Sequence, residues 1–316
     1  MTLRGKINSV INHPLILKDV IQGKNSEEIR AKVRSIKGKG LGKEVPNFIS
    51  RLKRTSPYHI NPNDKPKLNR LCYIEDWENS EIKETISSLG VSPQVIRRKH
   101  WEWALAIIAM RRFGKLNSNS KAIGIASANE PLLFYLANNV NHVYATDLYD
   151  NNKFSYTPSD FPENPKKYAP FPYKEDALTV LRMDATNLEF PSESFHIAFS
   201  ISSIEHFGGK NHSRALRSLK EVERVLKTGG IAVITTEYIL NEKDHPEFFN
   251  RRTIYDDLIN KLQKLQLVEP LDLRITSKTL DTAIGLCDEV DNTHPHIVVR
   301  YGDILLTSIM LVFQKQ

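Results

Sequence analysis

The chain has 316 residues, of which 40% are hydrophobic and 26% charged, so it can bury one large core and carry a subdomain. No apolar run approaches the ~20 residues that cross a bilayer, and the first residues lack a signal peptide's apolar core. We therefore predict no transmembrane segment and a cytoplasmic location. Cys72 and Cys287 lack CxxC spacing, which predicts reduced thiols without a disulfide or a zinc site.

The net charge of +7 comes entirely from the start of the chain. Residues 1–70 hold 16 Lys and Arg against 5 Asp and Glu, whereas the remaining 246 residues hold 28 against 32. Such a segment suits an anionic partner, such as nucleic acid, a membrane face or a phosphorylated substrate, but it also fits a solvated arm. We predict a basic, mainly helical N-terminal extension over 1–90 and a second domain over 91–316.

A helix is predicted from Ser92 to Phe113, where Trp101 and Trp103 alternate with basic residues that include Lys99. An aromatic stripe of this kind is usually part of a core. We expect this helix to pack on a sheet or to cover a ligand.

The stretch from Ala122 to Asp147 has the pattern of a nucleotide-binding βαβ unit. Two apolar runs flank a turn of small residues and an amphipathic helix, whose predicted sheet-facing side chains are Leu132, Leu133, Leu136 and Ala137. Asp147 follows Ala128 by 19 residues, near the offset at which a carboxylate meets the ribose hydroxyls of a nucleoside. The alternative is that Asp147 only caps a loop.

The turn of this unit departs from the dinucleotide fingerprint GxGxxG, because it contains Gly124, Ala126, Ala128 and Glu130. Pyrophosphate binding is therefore not expected. Since alanine does not readily take positive φ, the turn either uses ordinary backbone angles or bears strain.

An insertion over 150–176 combines six aromatic residues with five prolines. This composition is too rich in proline for a helix and too aromatic for a plain linker. We predict a substrate-facing lid or docking loop.

Three further strands and a hairpin are predicted downstream. The strands are Leu178–Met183, His196–Ser200 and Ile231–Thr236, and Gly229 with Gly230 is expected to end the helix before the last of them. Two final strands flank Tyr301-Gly302-Asp303. With the two strands of the first unit, this makes seven.

Two segments carry a family resemblance: MDATNLEFPSESFHIAFSISSIEHFGG from Met183 and EVERVLKTGGIAVITTE from Glu221. With the first unit they resemble class I S-adenosylmethionine-dependent methyltransferases, specifically a bacterial type-11-like group with an SSIEHFGG motif. The likeness runs from about Lys99 to the C-terminus. It implies an α/β fold with a Rossmann-like, doubly wound, seven-stranded sheet and a C-terminal antiparallel hairpin, and S-adenosylmethionine as cofactor.

The resemblance and the strand ends together give a set of cofactor-binding candidates. Asp184 and the backbone of Ala185 are expected at the adenine, Asp147 at the ribose, and Glu130 at the ammonium group. The complete set is Gly124, Ala126, Ser127, Glu130, Asp147, Leu148, Asp184, Ala185 and Ser200. No metal is predicted, because the spacing of His294 and His296 with Asp288 and Asp291 fits no standard site.

Methyl transfer to a hydroxyl requires a base that removes the proton. The first candidate is His206 with Glu205 as its orienter or substitute, and the second pair is Glu237 and His245. The resemblance in the SSIEHFGG motif implies a saccharide or another small hydroxylated acceptor. The alternatives are an RNA or nucleotide methyltransferase that uses the basic arm, and a binding module whose cofactor pocket has decayed. The oligomeric state stays open, a homo-oligomer included.

Overall fold

The computed structural model describes residues 48–51, 58–150, 157–285 and 294–316. Within these ranges ten strands form one mixed sheet. The strands are β1 (Arg70–Leu71), β2 (Lys121–Ile125), β3 (His142–Asp147), β4 (Leu178–Arg182), β5 (Phe195–Ile201), β6 (Leu226–Ile239), β7 (Leu265–Leu267), β8 (Ile284–Gly285), β9 (Val299–Tyr301) and β10 (Ile304–Lys315).

Helices cover this sheet and cap its edges. Residues 48–51 are helical. The further α-helices of the described ranges are α1 (Ser80–Ser88), α2 (Arg98–Arg112), α3 (Pro131–Asn139), α4 (Ser213–Val225), α5 (Arg251–Thr253) and α6 (Ser277–Leu280). A π-helical turn, Ile254–Leu258, continues α5. Short 3-10 turns occupy Ile74–Glu78, Pro165–Tyr168, Glu175–Ala177, Ile204–Phe207, Lys210–His212 and Ile259–Lys261.

The predicted fold class is confirmed. The strand order is β4-β3-β2-β5-β6-β10-β9-β8, in which β4 to β6 are parallel and β10 is antiparallel to β6. The expected terminal hairpin is β9 and β10, which flank Gly302 and Asp303.

The sheet is larger than the seven strands that the sequence predicted, because β10 is long and has a second edge. One edge of β10 pairs with β6, and the other edge pairs in turn with β9, β1 and β7. Segments of two or three residues carry no period of their own, so the sequence pattern does not reveal them. Their pairing protects an edge that would otherwise expose unpaired backbone groups.

The helix faces follow the apolar pattern of the sequence. The predicted stripe of α3 is fully buried at Leu132, Leu133, Leu136 and Ala137, and α3 packs on β3 and β4. Ten of the 15 residues of α2 are buried, and this helix packs on β5, β6 and β10. Hence α2 belongs to the core, as expected.

The predicted stop of α4 at Gly229 and Gly230 is wrong. The helix ends at Val225, and both glycines lie in β6, where the pairing with β5 shifts register between Phe195 and Ile197. Gly229 has φ +74°, a conformation that suits the irregular pairing.

The chain winds outward in both directions from the neighbouring strands β2 and β5. From β2 it continues to β3 and β4, whereas from β5 it continues to β6 on the other side. No connection therefore crosses the carboxyl ends of β2 and β5, which is where open α/β sheets hold their ligands.

The backbone of the turn after β2 is strained, which was one of the two alternatives that the sequence left open. Ala126 has φ 48° and Ala128 has φ 44°. The turn is held there because Ser203 Oγ donates to Ala126 O over 2.9 Å, and Ala128 N donates to Asp147 Oδ2 over 2.9 Å. Gly124 is required for packing, since a Cβ would lie 2.8 Å from Phe199 Cζ and from Ser127.

Replacing Ala128 by glycine should stabilise the protein. The substitution removes a positive-φ penalty of about 1–2 kcal/mol and loses part of that gain to chain entropy, so we expect a net gain of about 1 kcal/mol in urea unfolding. Ala122→Gly, in the buried middle of β2, is the matched control and should destabilise. A loss of stability in Ala128→Gly would contradict a strained turn.

Candidate functional site

A cavity of about 690 Å³ opens at the carboxyl ends of β2 to β5. Its volume lies within the range of small-molecule sites. It is lined by Lys99, Trp103, Ala126, Ala128, Asn129, Glu130, Pro131, Asp147, Leu148, Thr157, Tyr168, Pro170, Met183, Asp184, Ala185, Thr186, Ile201, Ser202, Ser203, His206, Phe207 and Arg214.

Most of the residues that the sequence singled out line this cavity, namely Ala126, Glu130, Asp147, Leu148, Asp184, Ala185 and His206. Gly124, Ser127, Ser200 and Glu205 are buried and lie outside the lining. Ser127, for instance, is 2% exposed, and its N–H donates to Thr146 O over 3.0 Å. These four expected site residues therefore do not contact the cavity directly.

The two candidate carboxylates stand at the ends of β3 and β4. Asp147 accepts backbone hydrogen bonds from Ala128 and Leu148, at 2.9 and 2.7 Å, one on each oxygen. Burial raises the pKa of Asp147, against these hydrogen bonds. Because a carboxylate offers about four lone-pair positions, Asp147 retains acceptor capacity toward the cavity.

Asp184 is the more strongly acidic of the two. Its Oδ1 accepts from Thr186 N and Thr186 Oγ1, each over 2.8 Å, and Arg214 Nη2 lies 3.5 Å from Oδ2. Burial acts to raise the pKa of Asp184, but these partners outweigh it and hold the pKa below its usual value. The side chain is therefore an anionic acceptor at the cavity wall.

His206 contacts a partner that the sequence did not indicate. Its Nδ1 lies 2.5 Å from Glu247 Oε1, in a residue 41 positions later. Burial works to lower the pKa of His206, but the hydrogen bond to Glu247 and the nearby carboxylates raise it above its ordinary value. Glu247, and not Glu205, holds the ring.

Glu205 faces away from the cavity. It is 1% exposed, and its Oε2 accepts from Thr236 Oγ1 over 2.8 Å. Burial raises the pKa of Glu205 to about 7, with Glu237 adding to this effect and His206 and Thr236 opposing it. Adjacent residues of a 3-10 turn point about 120° apart, which is why Glu205 and His206 separate.

The second candidate pair, Glu237 and His245, does not form a hydrogen bond in which one residue orients the other as a base. Glu237 forms an ion pair with Arg98. The Nδ1 of His245 accepts from the backbone N–H groups of Glu247 and Phe248, both over 3.2 Å. Neither Glu237 nor His245 lines the cavity.

Lys99 is the principal residue that sequence reasoning missed as part of the site. Its Nζ lies 3.1 Å from Glu130 Oε1 and 3.4 Å from Glu102 Oε2, and it donates to Ile201 O over 3.3 Å. The signal that could have found it was the predicted cover helix, in which Lys99 and Trp103 are one turn apart.

Three buried polar atoms on this cavity make no hydrogen bond within the described part of the chain. They are Glu130 Oε2, Ser202 Oγ and Trp103 Nε1. Buried polar groups are nearly always hydrogen-bonded, so these atoms are candidate contacts for a polar ligand. Burial raises the pKa of the Glu130 carboxyl, against the opposing effect of the Lys99 ammonium group and a smaller one of the Trp103 N–H.

The described ranges hold no cluster of three or more His, Cys, Asp or Glu arranged for a metal ion. Asp288, Asp291 and Cys287 lie outside the described residues, so the expectations that involve them are not tested. Cys72 is a buried thiol whose pKa is raised well above its usual value by burial. No helix in those ranges is long and apolar enough to cross a membrane.

The chain matches a known family model over part of its length. Residues 125–234, about a third of the chain, match the family described as a methyltransferase domain. No curated protein sequence matches the chain.

Solved structures with similarity to the chain share little sequence with it. The phosphoethanolamine N-methyltransferase 2 of Haemonchus contortus, in complex with S-adenosyl-L-methionine, is 22% identical over 43% of this chain and 29% of that chain, with a TM-score of 0.33. The YcgJ protein of Bacillus subtilis is 15% identical over 67% and 98%, with a TM-score of 0.42. A SAM-dependent methyltransferase of Aquifex aeolicus is 14% identical over 73% and 97%, with a TM-score of 0.38. The chain thus spans less than a third of the length of the Haemonchus protein.

The raised pKa of Glu205 predicts a pH-dependent cost to stability. Because the folded pKa of about 7 exceeds the ordinary 4.5, the folded state binds a proton that the unfolded state lacks between these values. Stability therefore falls as pH rises through this window. Glu205→Gln should remove the effect, so the variant should gain up to about 3 kcal/mol over wild type between pH 5 and pH 8 in urea unfolding. An equal difference at both pH values would contradict the buried, raised carboxyl.

Proposed function

We propose that the chain, whose residues 125–234 match a methyltransferase domain family, is a class I methyltransferase with S-adenosylmethionine as cofactor, and that it methylates a hydroxyl group of a saccharide or another small hydroxylated acceptor. The observation that carries the proposal is the position of His206. This imidazole lines the cavity and is held from behind by Glu247. A hydroxyl acceptor needs such a base.

The cavity residues fit the cofactor, because its hydrogen-bonding groups match the polar atoms that lack partners there. Asp147 would hold the ribose hydroxyls, Asp184 and Ala185 the adenine, and Glu130 the ammonium group. When bound, the cofactor supplies a methyl group on a positively charged sulfur that becomes neutral once the methyl has been transferred.

His206 is suited to take the proton of the acceptor. With Nδ1–H donating to Glu247, the proton-accepting lone pair of the neutral ring is on Nε2. The resulting imidazolium is stabilised by the carboxylates around it, which also raise the resting pKa of His206. Turnover should therefore rise with pH as this group loses its proton.

The remaining lining suits a sugar-like acceptor. Trp103, Tyr168 and Phe207 offer apolar surface, while Ser202 and the other polar side chains offer hydrogen bonds. A polyol presents both kinds of surface to its site. Tyr168 belongs to the insertion over 150–176, which supports the proposed role of that segment in acceptor binding.

One observation favours a second candidate, a module that binds without catalysis. The strained Ala126 and Ala128 place methyl groups where a bare backbone would allow closer approach. The methyltransferase should turn over its substrates, whereas the binding module should bind the cofactor without forming product. The RNA alternative depends on the basic arm, of which residues 48–51 and 58–70 are described. The cytoplasmic location stays a prediction.

Removing the base or its partner should reduce turnover in different ways. His206→Ala should lower kcat by about 100-fold or more, as expected for loss of a general base. Glu247→Gln keeps a hydrogen-bond acceptor but removes the charge, so kcat should fall about tenfold and the rising limb of the pH–rate profile should move to lower pH. Near-normal turnover in His206→Ala would eliminate this base.

The acceptor is tested by methyl labelling. Glycans, small polyols and RNA are incubated with labelled S-adenosylmethionine, and the products are identified by mass spectrometry. We expect label on a hydroxyl of a saccharide or polyol. Label on RNA that disappears when residues 1–47, which precede the described part of the chain, are removed would favour the alternative methyltransferase. Cofactor binding without any labelled product would favour the binding module.

A further inference from the structure

We infer that Lys99 and Glu130 together recognise the amino-acid end of the cofactor, with Lys99 binding its carboxylate and Glu130 its ammonium group. This inference rests on the proposed function and adds a residue from α2 to the site. The pair binds both charges of a zwitterion, so it selects ligands that carry the complete amino acid.

The position of Lys99 is the first argument. Lys99 lies near the start of α2, and its Nζ donates to Ile201 O at the end of β5 while pairing with Glu130 at the start of α3. The ammonium group therefore lies between the ends of β2 and β5. Asp147 ends β3 and Asp184 follows β4, so a nucleoside held there directs its amino-acid end toward Lys99.

The second argument concerns which carboxylate can exchange. Lys99 contacts two carboxylates, Glu102 at 3.4 Å and Glu130 at 3.1 Å. Glu102 is 1% exposed and accepts a hydrogen bond from Ser308 Oγ, whereas Glu130 lines the cavity. Glu102 is thus a fixed counter-charge, and Glu130 is the partner that a ligand carboxylate can replace.

Charge balance is the third argument. Without ligand, Lys99 and Glu130 neutralise each other, which limits the cost of holding them in a partly buried site. A zwitterion brings one charge of each sign, so both side chains stay paired after the exchange. A ligand with only the ammonium group would draw Glu130 away from Lys99 without supplying a carboxylate in its place, and a ligand with neither charge would leave the pair intact.

The polar atoms without partners support the same location. Glu130 Oε2 belongs to the carboxylate that pairs with Lys99, and Ser202 follows Ile201, whose carbonyl accepts from Lys99. Glu130 Oε2 and Ser202 Oγ are buried and make no hydrogen bond within the described part of the chain. An ammonium group has three N–H donors, and these two acceptors lie on the wall where the inference places it. The product of methyl transfer carries the same amino acid, so binding can be measured without turnover.

Calorimetry with three ligands measures how much each charge of the amino-acid end contributes to affinity. S-adenosylhomocysteine carries both charges, its decarboxylated analogue keeps only the ammonium group, and 5′-methylthioadenosine has neither. Lys99→Met should lower the affinity for S-adenosylhomocysteine at least tenfold and leave the affinity for 5′-methylthioadenosine within twofold of the wild-type value. Glu130→Gln should weaken both S-adenosylhomocysteine and the decarboxylated analogue, again without an effect on 5′-methylthioadenosine.

Two further variants separate recognition from folding. Lys83→Met removes an exposed lysine of α1 and should change no affinity. Lys99→Met with Glu130→Gln removes both charges, so it avoids leaving Glu130 unpaired, and it should still lose affinity only for ligands with an amino-acid end. Thermal melts show that each variant tested is folded.

A loss of equal size for all three ligands in folded variants would show a structural role and overturn the inference. Equal wild-type affinity for S-adenosylhomocysteine and 5′-methylthioadenosine would overturn it while leaving the proposed function intact. No wild-type affinity for any of the three would overturn both. The predicted binding pattern without labelled product would support the inference and contradict the proposed catalysis.

Discussion

The site depends on the reversal of strand order between the parallel neighbours β2 and β5. Because the chain leaves this pair of strands on opposite sides, their carboxyl ends stay uncovered, and the loops that follow β2, β3, β4 and β5 converge around one cavity. Helix α2 reaches this edge from the core and brings Lys99 and Trp103 to it. A cavity assembled in this way combines side chains that are far apart in sequence, which explains how carboxylates, an imidazole and a lysine meet there.

Much of the fold could be predicted because buried parallel strands and amphipathic helices have local patterns. The apolar runs ending at Asp147 and near Ser200 became β3 and β5, and the stripe of α3 is buried as expected. The remaining strands could not be predicted, because β1, β7 and β8 are defined by the partners they pair with rather than by their own residues. Likewise, Gly229 and Gly230 are compatible both with a helix end and with an irregularity in a strand. Only the register between β5 and β6 decides between the two.

The residues of the candidate site likewise divide into those that the sequence could predict and those that it could not. Asp147, Asp184 and His206 follow strand ends, so their position at the cavity was predictable from topology alone. The partner of His206 was not, because Glu247 comes from a segment beyond β6 whose path has no local signature. Sequence adjacency suggested Glu205 instead, but the 3-10 turn buries that carboxylate against Thr236. Whether an ion pair such as that of Lys99 and Glu130 forms depends on how α2 docks, which no spacing rule specifies.

One ligand must extend across the sheet edge, from the ends of β3 and β4 to the start of α3, for these residues to act together. The most direct measurement is a crystal structure of the protein with S-adenosylhomocysteine. We predict electron density for the ribose at Asp147, for the base at Asp184 and for the amino-acid end between β2 and β5. A ligand bound elsewhere, or a cavity filled by the protein's own side chains at saturating ligand, would contradict the account.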